Sequence, residues 1–204
     1  MPFSEPTVIG SNVPPRSLPS KKLRSLLRKH LPNEEDADTA ALIVYLRTAR
    51  RRKYLTKGEL ERICQWKSAR ALPWIRSNSH HRIRSATTFA LTTKSERKRL
   101  EALVGLRGVS VGMASAILTL LYPNRYGVID IRVWKLLKEL GTVHANARGA
   151  KFTFAQWARF LVVIREEASY FAVSTRDIER TLFLIHQQHH SGRLYDNAFT
   201  SCST

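Results

Sequence analysis

The stretch GLRGVSVGMASAI, residues 105–117, places Gly105, Gly108 and Gly112 within eight positions of a chain whose apolar residues have helical spacing. Each glycine costs a helix interior about 1 kcal/mol relative to alanine, so the stretch predicts two helices joined by a tight turn. The N–H groups that begin the second helix then form an anion site, which glycine leaves open to a phosphate. An ordinary, closely packed helix–helix corner explains the same glycines, and their spacing does not separate the two interpretations.

Apolar residues elsewhere in the chain also repeat with the period of an α-helix. One stripe, which predicts a single helix ending in the RRRK cluster, comprises Leu42, Tyr45, Leu46 and Ala49. Residues with capping side chains predict the starts of further helices at Thr56, Ser95, Thr153 and Ser174. Because alternating strand patterns are scarce, the predicted fold class is all-α. We expect a flexible leader at 1–20, one domain at 21–190 and a flexible tail at 191–204.

The charge of the chain indicates a polyanionic partner. It has 34 Lys and Arg residues against 16 Asp and Glu residues, a formal net charge of +18. The excess recurs in clusters at 21–29, 47–53, 76–84 and 94–99. Clusters spread over several helices are typical of a phosphate-contacting face, so nucleic acid is the expected partner. A generally solvated basic surface or an acidic membrane would also account for the charge.

Other features exclude several classes of protein. Two cysteines, Cys64 and Cys202, are too few for a disulfide framework or a cysteine-ligated iron–sulfur cluster. No apolar run reaches the roughly 18 residues of a membrane span, and the N-terminus lacks the pattern of a signal peptide. We therefore expect a cytoplasmic protein with no cofactor and no membrane partner. His186, His189 and His190 have helical spacing but no carboxylate partner, so no metal site is predicted.

Two motifs carry a resemblance to a known family. The segment LRGVSVGMA (106–114) resembles the L-P-G-V-G-x-x-x-A pattern of the HhH-GPD superfamily, the endonuclease III-like helix-hairpin-helix DNA glycosylases. VIDIRVWK (128–135) is similar to that family's V-D-x-H-V-x-R segment, in which Asp130 matches the catalytic aspartate. Arg132 stands where histidine is common, and Lys135 stands where arginine is common. A hairpin followed by an aspartate at this distance is more specific than a hairpin alone.

The resemblance implies a fold, a partner and a set of contacts. QWKSAR (65–70) and TRDIERTLFLIHQ (175–187) are similar to a bacterial branch of the superfamily, so the likeness spans most of 54–188. It implies a two-lobed helical bundle, with the hairpin at about 95–122, that binds damaged double-stranded DNA in the nucleoid. The DNA-contacting residues implied are Gly105, Arg107, Gly108, Ser110, Gly112, Arg132 and Lys135.

The chain also departs from the family pattern. Arg107 replaces the usual proline, and Ser110 replaces the second hairpin glycine while still offering its N–H. Gly112 aligns with the lysine that forms a Schiff base in the lyase-competent members. The resemblance therefore implies a monofunctional glycosylase without lyase activity, unless another lysine such as Lys67 or Lys135 supplies the amine.

Asp130 has two interpretations that do not exclude each other. A carboxylate beside C1′ would stabilise the oxocarbenium-like sugar of N-glycosidic hydrolysis and would orient or deprotonate water. An aspartate that directly precedes a helix is also a common N-cap. We predict that Asp130 is the catalytic residue.

An extruded base would need a pocket with aromatic walls. Trp134, one turn beyond Asp130, and Trp66, beside Lys67 and Arg70, are the candidates for a pocket or groove, although ordinary packing explains both tryptophans as well. Trp157 lies on an apolar stripe and is predicted to be core. Two further hypotheses remain open: a non-catalytic DNA-binding protein that retains the glycosylase fold, and an RNA- or ribosome-associated basic protein.

Overall fold

The computed structural model describes residues 21–31 and 34–189, and within these ranges every regular element is a helix. The prediction of an all-α fold is confirmed. The predicted leader at 1–20 and tail at 191–204 lie outside the described residues. The helices are α1 (Lys21–His30), α2 (Ala37–Tyr45), α3 (Arg47–Arg52), α4 (Lys57–Ser68), α5 (Leu72–Arg76), α6 (His80–Thr92), α7 (Glu96–Val104), α8 (Val111–Leu121), α9 (Ile131–Glu139), α10 (Phe154–Phe171) and α11 (Thr175–His189), with a 3-10 turn at Ala69–Ala71.

The four predicted helix starts are confirmed by their capping hydrogen bonds. Thr56 and Thr153 each form a capping box, in which the hydroxyl accepts from the N–H of the residue three positions later and that residue's side chain accepts in return. The Ser95 hydroxyl accepts from the Lys98 N–H. The N–H of Asp177 donates to the Ser174 hydroxyl at 3.0 Å, and the Asp177 carboxylate accepts from the Ser174 N–H.

The predicted single helix through 42–49 is wrong, because the chain turns at Leu46 and divides it into α2 and α3. The turn keeps Leu46 and Ala49 fully buried. It leaves Tyr45 on the surface, where the Arg62 guanidinium lies 4.4 Å from the centre of its ring. A stripe at i, i+3, i+4 and i+7 is therefore not sufficient evidence for one continuous helix.

Helix α8 is the centre of one group of helices. It is buried from Met113 to Leu121, and α2, α3, α4 and α7 pack against it. Its polar residues bond to backbone groups, as expected for buried hydroxyls. The Ser115 hydroxyl donates to the Gly112 carbonyl at 2.7 Å and accepts from the Ile129 N–H at 3.0 Å. This second bond fastens the segment before α9 to the start of α8.

Helix α11 is the centre of a second group, because α1, α9 and α10 pack against it. Trp157 on α10 is fully buried, as predicted, and its ring stacks on Tyr126 with the centroids 6.2 Å apart. None of the helices in the described ranges combines the length and the apolar character that crossing a bilayer requires.

Glu96, the first residue of α7, ties three segments together. Its carboxylate accepts hydrogen bonds from Arg99 at 2.7 Å, Arg125 at 2.7 Å, Arg165 at 3.3 Å and the Tyr126 hydroxyl at 2.9 Å. Burial alone would raise the pKa of Glu96, but these donors outweigh it and the pKa lies below its ordinary value of 4.5. Burial and the neighbouring carboxylate raise the pKa of Tyr126 to about 12.

We expect Glu96→Gln to lower the free energy of unfolding at neutral pH by about 2 kcal/mol, because three arginines and a tyrosine lose a charged acceptor. The folded-state pKa of Glu96 is depressed, so its contribution is present above pH 4.5 and is lost as the pH falls through the lower folded-state value. Urea titrations at a series of pH values should show the penalty shrinking in that acidic window. Glu101→Gln, which removes an exposed carboxylate from the same helix, is the control and should cost less than about 0.5 kcal/mol at every pH. A Glu96 penalty that stays constant on acidification would contradict this account.

Candidate functional site

The turn between α7 and α8, here called the glycine turn (residues 105–110), lies at the protein surface. Gly105, Arg107 and Ser110 in it are exposed. Ser110 caps α8, because its hydroxyl accepts from the Met113 N–H at 3.2 Å. Gly112 follows inside the first turn of α8, where it is half-buried. Within the part of the chain that the structure describes, no acceptor bonds the N–H groups of residues 110–112. The start of α8 therefore presents free donors beside exposed basic surface.

Gly108 lies in close contact with the helix that precedes it in the fold, α5. Its φ is +81°, and a Cβ there would lie 2.8 Å from the Trp74 Cβ, 3.1 Å from the Ile75 nitrogen and 3.2 Å from the Ala71 oxygen. The side of Gly108 on which a side chain would lie therefore faces α5 and the 3-10 turn. Gly112 differs, because a Cβ there would make only ordinary contact, 3.4 Å from the Ile129 carbonyl oxygen. The corner interpretation accounts for Gly108, and the anion interpretation stays a prediction for the start of α8.

Asn78 fastens the glycine turn to α5. The side-chain amide donates to the Arg107 carbonyl at 3.0 Å and accepts from the Arg107 N–H at 3.0 Å. The same amide donates to the carbonyls of Ile75 at 2.9 Å and Trp74 at 3.2 Å. Asn78 is buried, at 2 % exposure. Sequence analysis missed this residue, because nothing in the SNS tripeptide pairs it with a turn 29 positions later.

Asp130 combines capping with a second contact. One carboxylate oxygen accepts from the Arg132 N–H at 2.9 Å, so the N-cap interpretation is confirmed. The other oxygen lies 2.5 Å from the Nζ of Lys67, on the last turn of α4. The Asp130 side chain is 16 % exposed and that of Lys67 is 22 % exposed. An ion pair so placed remains accessible to solvent and to a ligand.

The ion pair lines a cavity of about 260 Å³ between the ends of α2 and α4, the start of α9 and one face of α11. Its walls are Asp36, Thr39, Trp66, Lys67, Val128, Asp130, Arg176, Glu179, Arg180 and Phe183. Trp66 and Phe183 supply the aromatic part of this wall. The volume is below the range of about 300–1,000 Å³ for drug-sized ligand sites and leaves room for one small ring system.

A buried ionic layer supports this cavity. Arg176 donates to Glu35 at 2.8 Å and to Glu179 at 2.5 Å, and its guanidinium lies 5.4 Å from the centre of the Trp66 ring. The Trp66 indole N–H donates to the Thr39 hydroxyl at 2.8 Å. Burial raises the pKa of Glu179, although the Arg176 charge opposes the shift. These contacts hold the Trp66 ring in one orientation.

Sequence analysis missed Arg176 and Glu179, although both fall in the segment 175–187 that carries the resemblance. Their spacing of three residues, which places two opposite charges on one helix face, was the available signal. Both belong to the buried side of α11. The position of Glu35, more than 140 residues away from Arg176, had no such signal.

Trp134 does not line the cavity. The indole is 2 % exposed, and its N–H donates to the carbonyls of Ala145 at 3.0 Å and Asn146 at 3.1 Å. Its ring packs edge to face on Phe152. The buried indole N–H requires an acceptor, and the loop after α9 provides two carbonyls. The pocket interpretation of Trp134 is therefore corrected to a core role.

The remaining candidates lie outside the ion pair. Arg70 and Arg107 are exposed and Lys135 is half-buried. The Arg132 guanidinium lies 5.8 Å from the centre of the Phe183 ring, against the cavity wall. One of its terminal nitrogens is buried and has no acceptor among the described residues.

A second cavity of about 360 Å³ has basic walls but a different explanation. Its lining includes the residues that cap the C-terminal ends of α3, α6 and α8, which are Lys53, Thr93 and Tyr122. Arg99 and Arg125 also line it. Helix C-termini carry partial negative charge, so cations complement them. Arg99 also donates to the carbonyls of Ala90 and Thr93. Arg99 therefore complements the end of α6, and Arg125 is paired with Glu96.

Among the described residues, no group of three His, Cys, Asp or Glu side chains is placed to hold a metal. His186 is buried and His189 is exposed at the end of α11, while His190 lies outside the described ranges.

Comparison with protein-family models, with curated proteins and with solved structures gives no match for this chain. The family resemblance therefore rests on the quoted motifs and stays a prediction.

We expect Gly108→Ala to lower the free energy of unfolding by about 2–4 kcal/mol, because the new methyl group is both at positive φ and too close to Trp74 and Ile75. Gly141→Ala is the matched control. Gly141 has a φ of +70° with no atom near the added methyl, so only the backbone cost of about 1 kcal/mol applies. Chemical denaturation of the two variants measures the difference. Equal losses would show that Gly108 is not a packing residue.

Proposed function

We propose that this protein is a monofunctional DNA glycosylase of the HhH-GPD type, which hydrolyses the N-glycosidic bond of a damaged or mismatched base. The observation that carries the proposal is the Asp130 carboxylate, held at a helix start and paired with Lys67 on the wall of a cavity of about 260 Å³. Helix-hairpin-helix geometry at the glycine turn and a two-lobed arrangement are parts of this proposal. The packing of α2, α3, α4 and α7 on α8, and of α1, α9 and α10 on α11, supports the second part.

The arrangement suits the charge that develops in N-glycosidic hydrolysis. Positive charge accumulates near C1′ as the base leaves, and a fixed carboxylate stabilises it. Asp130 is fixed through one oxygen by the Arg132 N–H and through the other by Lys67. Once a nucleotide enters, the same carboxylate orients or deprotonates the attacking water.

The surface around the glycine turn favours a polyanion. Residues 62–95 and 102–129 contain no Asp or Glu, and these two segments meet where Gly108 packs on Trp74. Exposed Arg70 and Arg107 lie in the same two segments. With the free N–H groups at the start of α8, they would fix the DNA backbone. Gly112 lies against the Ile129 carbonyl, so this anion site adjoins the residue before Asp130.

The cavity supplies the other requirement, a pocket for an extruded base. Trp66 and Phe183 offer aromatic faces, and Asp36 and Thr39 offer polar groups in the wall. Aromatic stacking and a few polar contacts are how flipped bases are bound. We expect these four residues to select the base, and a screen of modified bases identifies it.

The central experiment is release of free base from duplexes that carry uracil, alkylated or oxidised bases. We expect release from at least one lesion and a loss of about 10²–10⁴-fold in the rate with Asp130→Asn. Asparagine is a good N-cap, so this variant keeps the α9 start. Asp38→Asn, which removes an exposed carboxylate from α2, is the charge-matched control and should retain the rate.

Two outcomes would contradict catalysis. Tight binding to abasic-site duplex with no release from any lesion would support the non-catalytic DNA-binding protein. A preference for structured RNA over duplex DNA at matched salt would support the RNA-associated protein.

One observation favours a second candidate function, a bifunctional glycosylase with lyase activity. The Lys67 Nζ lies 2.5 Å from Asp130, which places an amine at the carboxylate even though Gly112 has none. If Asp130 accepts a proton from Lys67, the free amine can attack C1′ of an abasic sugar and form an imine with loss of water.

Borohydride trapping on abasic-site duplex separates the two candidates. For the monofunctional enzyme we expect no trapped adduct, because the Lys67 Nζ is held in the ion pair with Asp130. An adduct that Lys67→Gln abolishes and Lys135→Gln preserves would establish the bifunctional enzyme instead.

A further inference from the structure

Two lysines of the second cavity have no role in the packing described above. Arg99 complements the end of α6 and Arg125 pairs with Glu96, so both arginines are explained. Lys53 follows α3, Lys94 lies between α6 and α7, and both are exposed in the lining of this cavity. Among the described residues, neither ammonium group has a hydrogen-bond or ion-pair partner. Their two charges are therefore available to a ligand.

The backbone of Lys53 has a conformation that side chains disfavour. Lys53 ends α3 with φ at +64° and ψ at +30°, in the left-handed region. Glycine is the usual residue at a helix end in this conformation, because it has no Cβ to strain. Strained backbone positions are concentrated at ligand contacts and other functional sites. The strain at Lys53 therefore points to a function of its ammonium group.

The cavity has a surplus of positive charge. Its described lining contains no Asp or Glu but four cations, which are Lys53, Lys94, Arg99 and Arg125. Glu96 is a carboxylate bonded to this wall, through Arg99 and Arg125. The partial negative charge of the helix ends offsets a further part of the surplus. The two free lysines match a phosphate monoester, which carries close to two negative charges at neutral pH.

The cavity admits more than a phosphate ion. Its volume of about 360 Å³ is within the range of about 300–1,000 Å³ for small-molecule sites, whereas the Asp130 cavity is below that range. Tyr122 and Leu91 supply apolar surface, and Thr92 and Thr93 supply hydroxyl groups. Tyr122 is half-buried, and its hydroxyl has no hydrogen-bond partner among the described residues. A ring attached to the phosphate would therefore find an aromatic wall and polar partners.

We infer that this cavity binds a nucleotide through a terminal 5′-phosphate, which Lys53 and Lys94 hold, with the base against Tyr122. The site is distinct from the proposed glycosylase site, because α8 extends about 16 Å from the glycine turn to the residue before Tyr122. The 5′-phosphate belongs either to a free mononucleotide or to the end of a nucleic-acid strand, and the experiment distinguishes these two sources.

The test is isothermal titration calorimetry of the full-length protein with adenosine 5′-monophosphate (AMP). We expect Lys53→Met and Lys94→Met each to weaken binding about fivefold, because each variant removes one charge from the phosphate contact and keeps the apolar stem. The double variant should lose more affinity than either single variant. Lys98→Met, which removes an exposed lysine of α7 outside the cavity lining, is the matched control and should change the affinity by less than about twofold. Adenosine, which lacks the phosphate, should not bind measurably.

Lys53→Gly separates binding from folding. Glycine removes the ammonium group and relieves the backbone strain, so this variant should weaken AMP binding about fivefold. Its urea midpoint should equal or exceed that of the wild type. A Lys53→Gly variant with wild-type affinity for AMP would overturn the inference.

Competition against bound AMP identifies the source of the phosphate. Displacement by a 5′-phosphorylated trinucleotide, but not by its 5′-hydroxyl counterpart, assigns the site to strand ends. Displacement by neither assigns it to a free nucleotide. Equal displacement by both would show a general anion surface and overturn the inference, as would absence of AMP binding to the wild type or equal losses in all three lysine-to-methionine variants. None of these outcomes depends on base release at Asp130, so this inference and the proposed function fail separately.

Discussion

Gly108 approaches the α5 backbone so closely that no side chain fits between them, and this approach determines where the catalytic candidates lie. It fixes the α7–α8 corner against α5 and the 3-10 turn, and Asn78 bonds both α5 and the corner. The start of α8 then lies beside the segment before α9, because Ser115 bonds the Ile129 N–H. Asp130 follows this segment directly, and its carboxylate lies 2.5 Å from the Lys67 Nζ at the end of α4.

In this arrangement Gly108, Gly112 and Asp130 have different roles. Gly108 allows packing, while the start of α8, at Gly112, keeps free N–H groups beside exposed basic residues. Asp130 caps α9 with one oxygen and contacts Lys67 with the other. A structural role and a chemical role are thereby compatible in one carboxylate, which is the basis of the proposed glycosylase.

Features that depend on neighbouring residues were predictable from the sequence, and features that depend on distant ones were not. The starts at Thr56 and Thr153 are local hydrogen-bond patterns and were predicted correctly. The turn at Leu46 was not predicted, because it depends on which side chains are buried. The apolar spacing alone is compatible with one continuous helix. The core position of Trp134 depends on carbonyls in an irregular loop. The contact of Lys67 with Asp130 joins residues 63 positions apart, which no periodicity encodes.

The most direct test of the central claim is a structure of the protein bound to a duplex with a tetrahydrofuran abasic-site analogue. The account predicts a phosphate oxygen within hydrogen-bond distance of the N–H groups at the start of α8, at Val111 or Gly112. It also predicts the Asp130 carboxylate beside the C1′ position of the abasic sugar. DNA seated on another face, with the Lys67–Asp130 cavity left untouched, would contradict it.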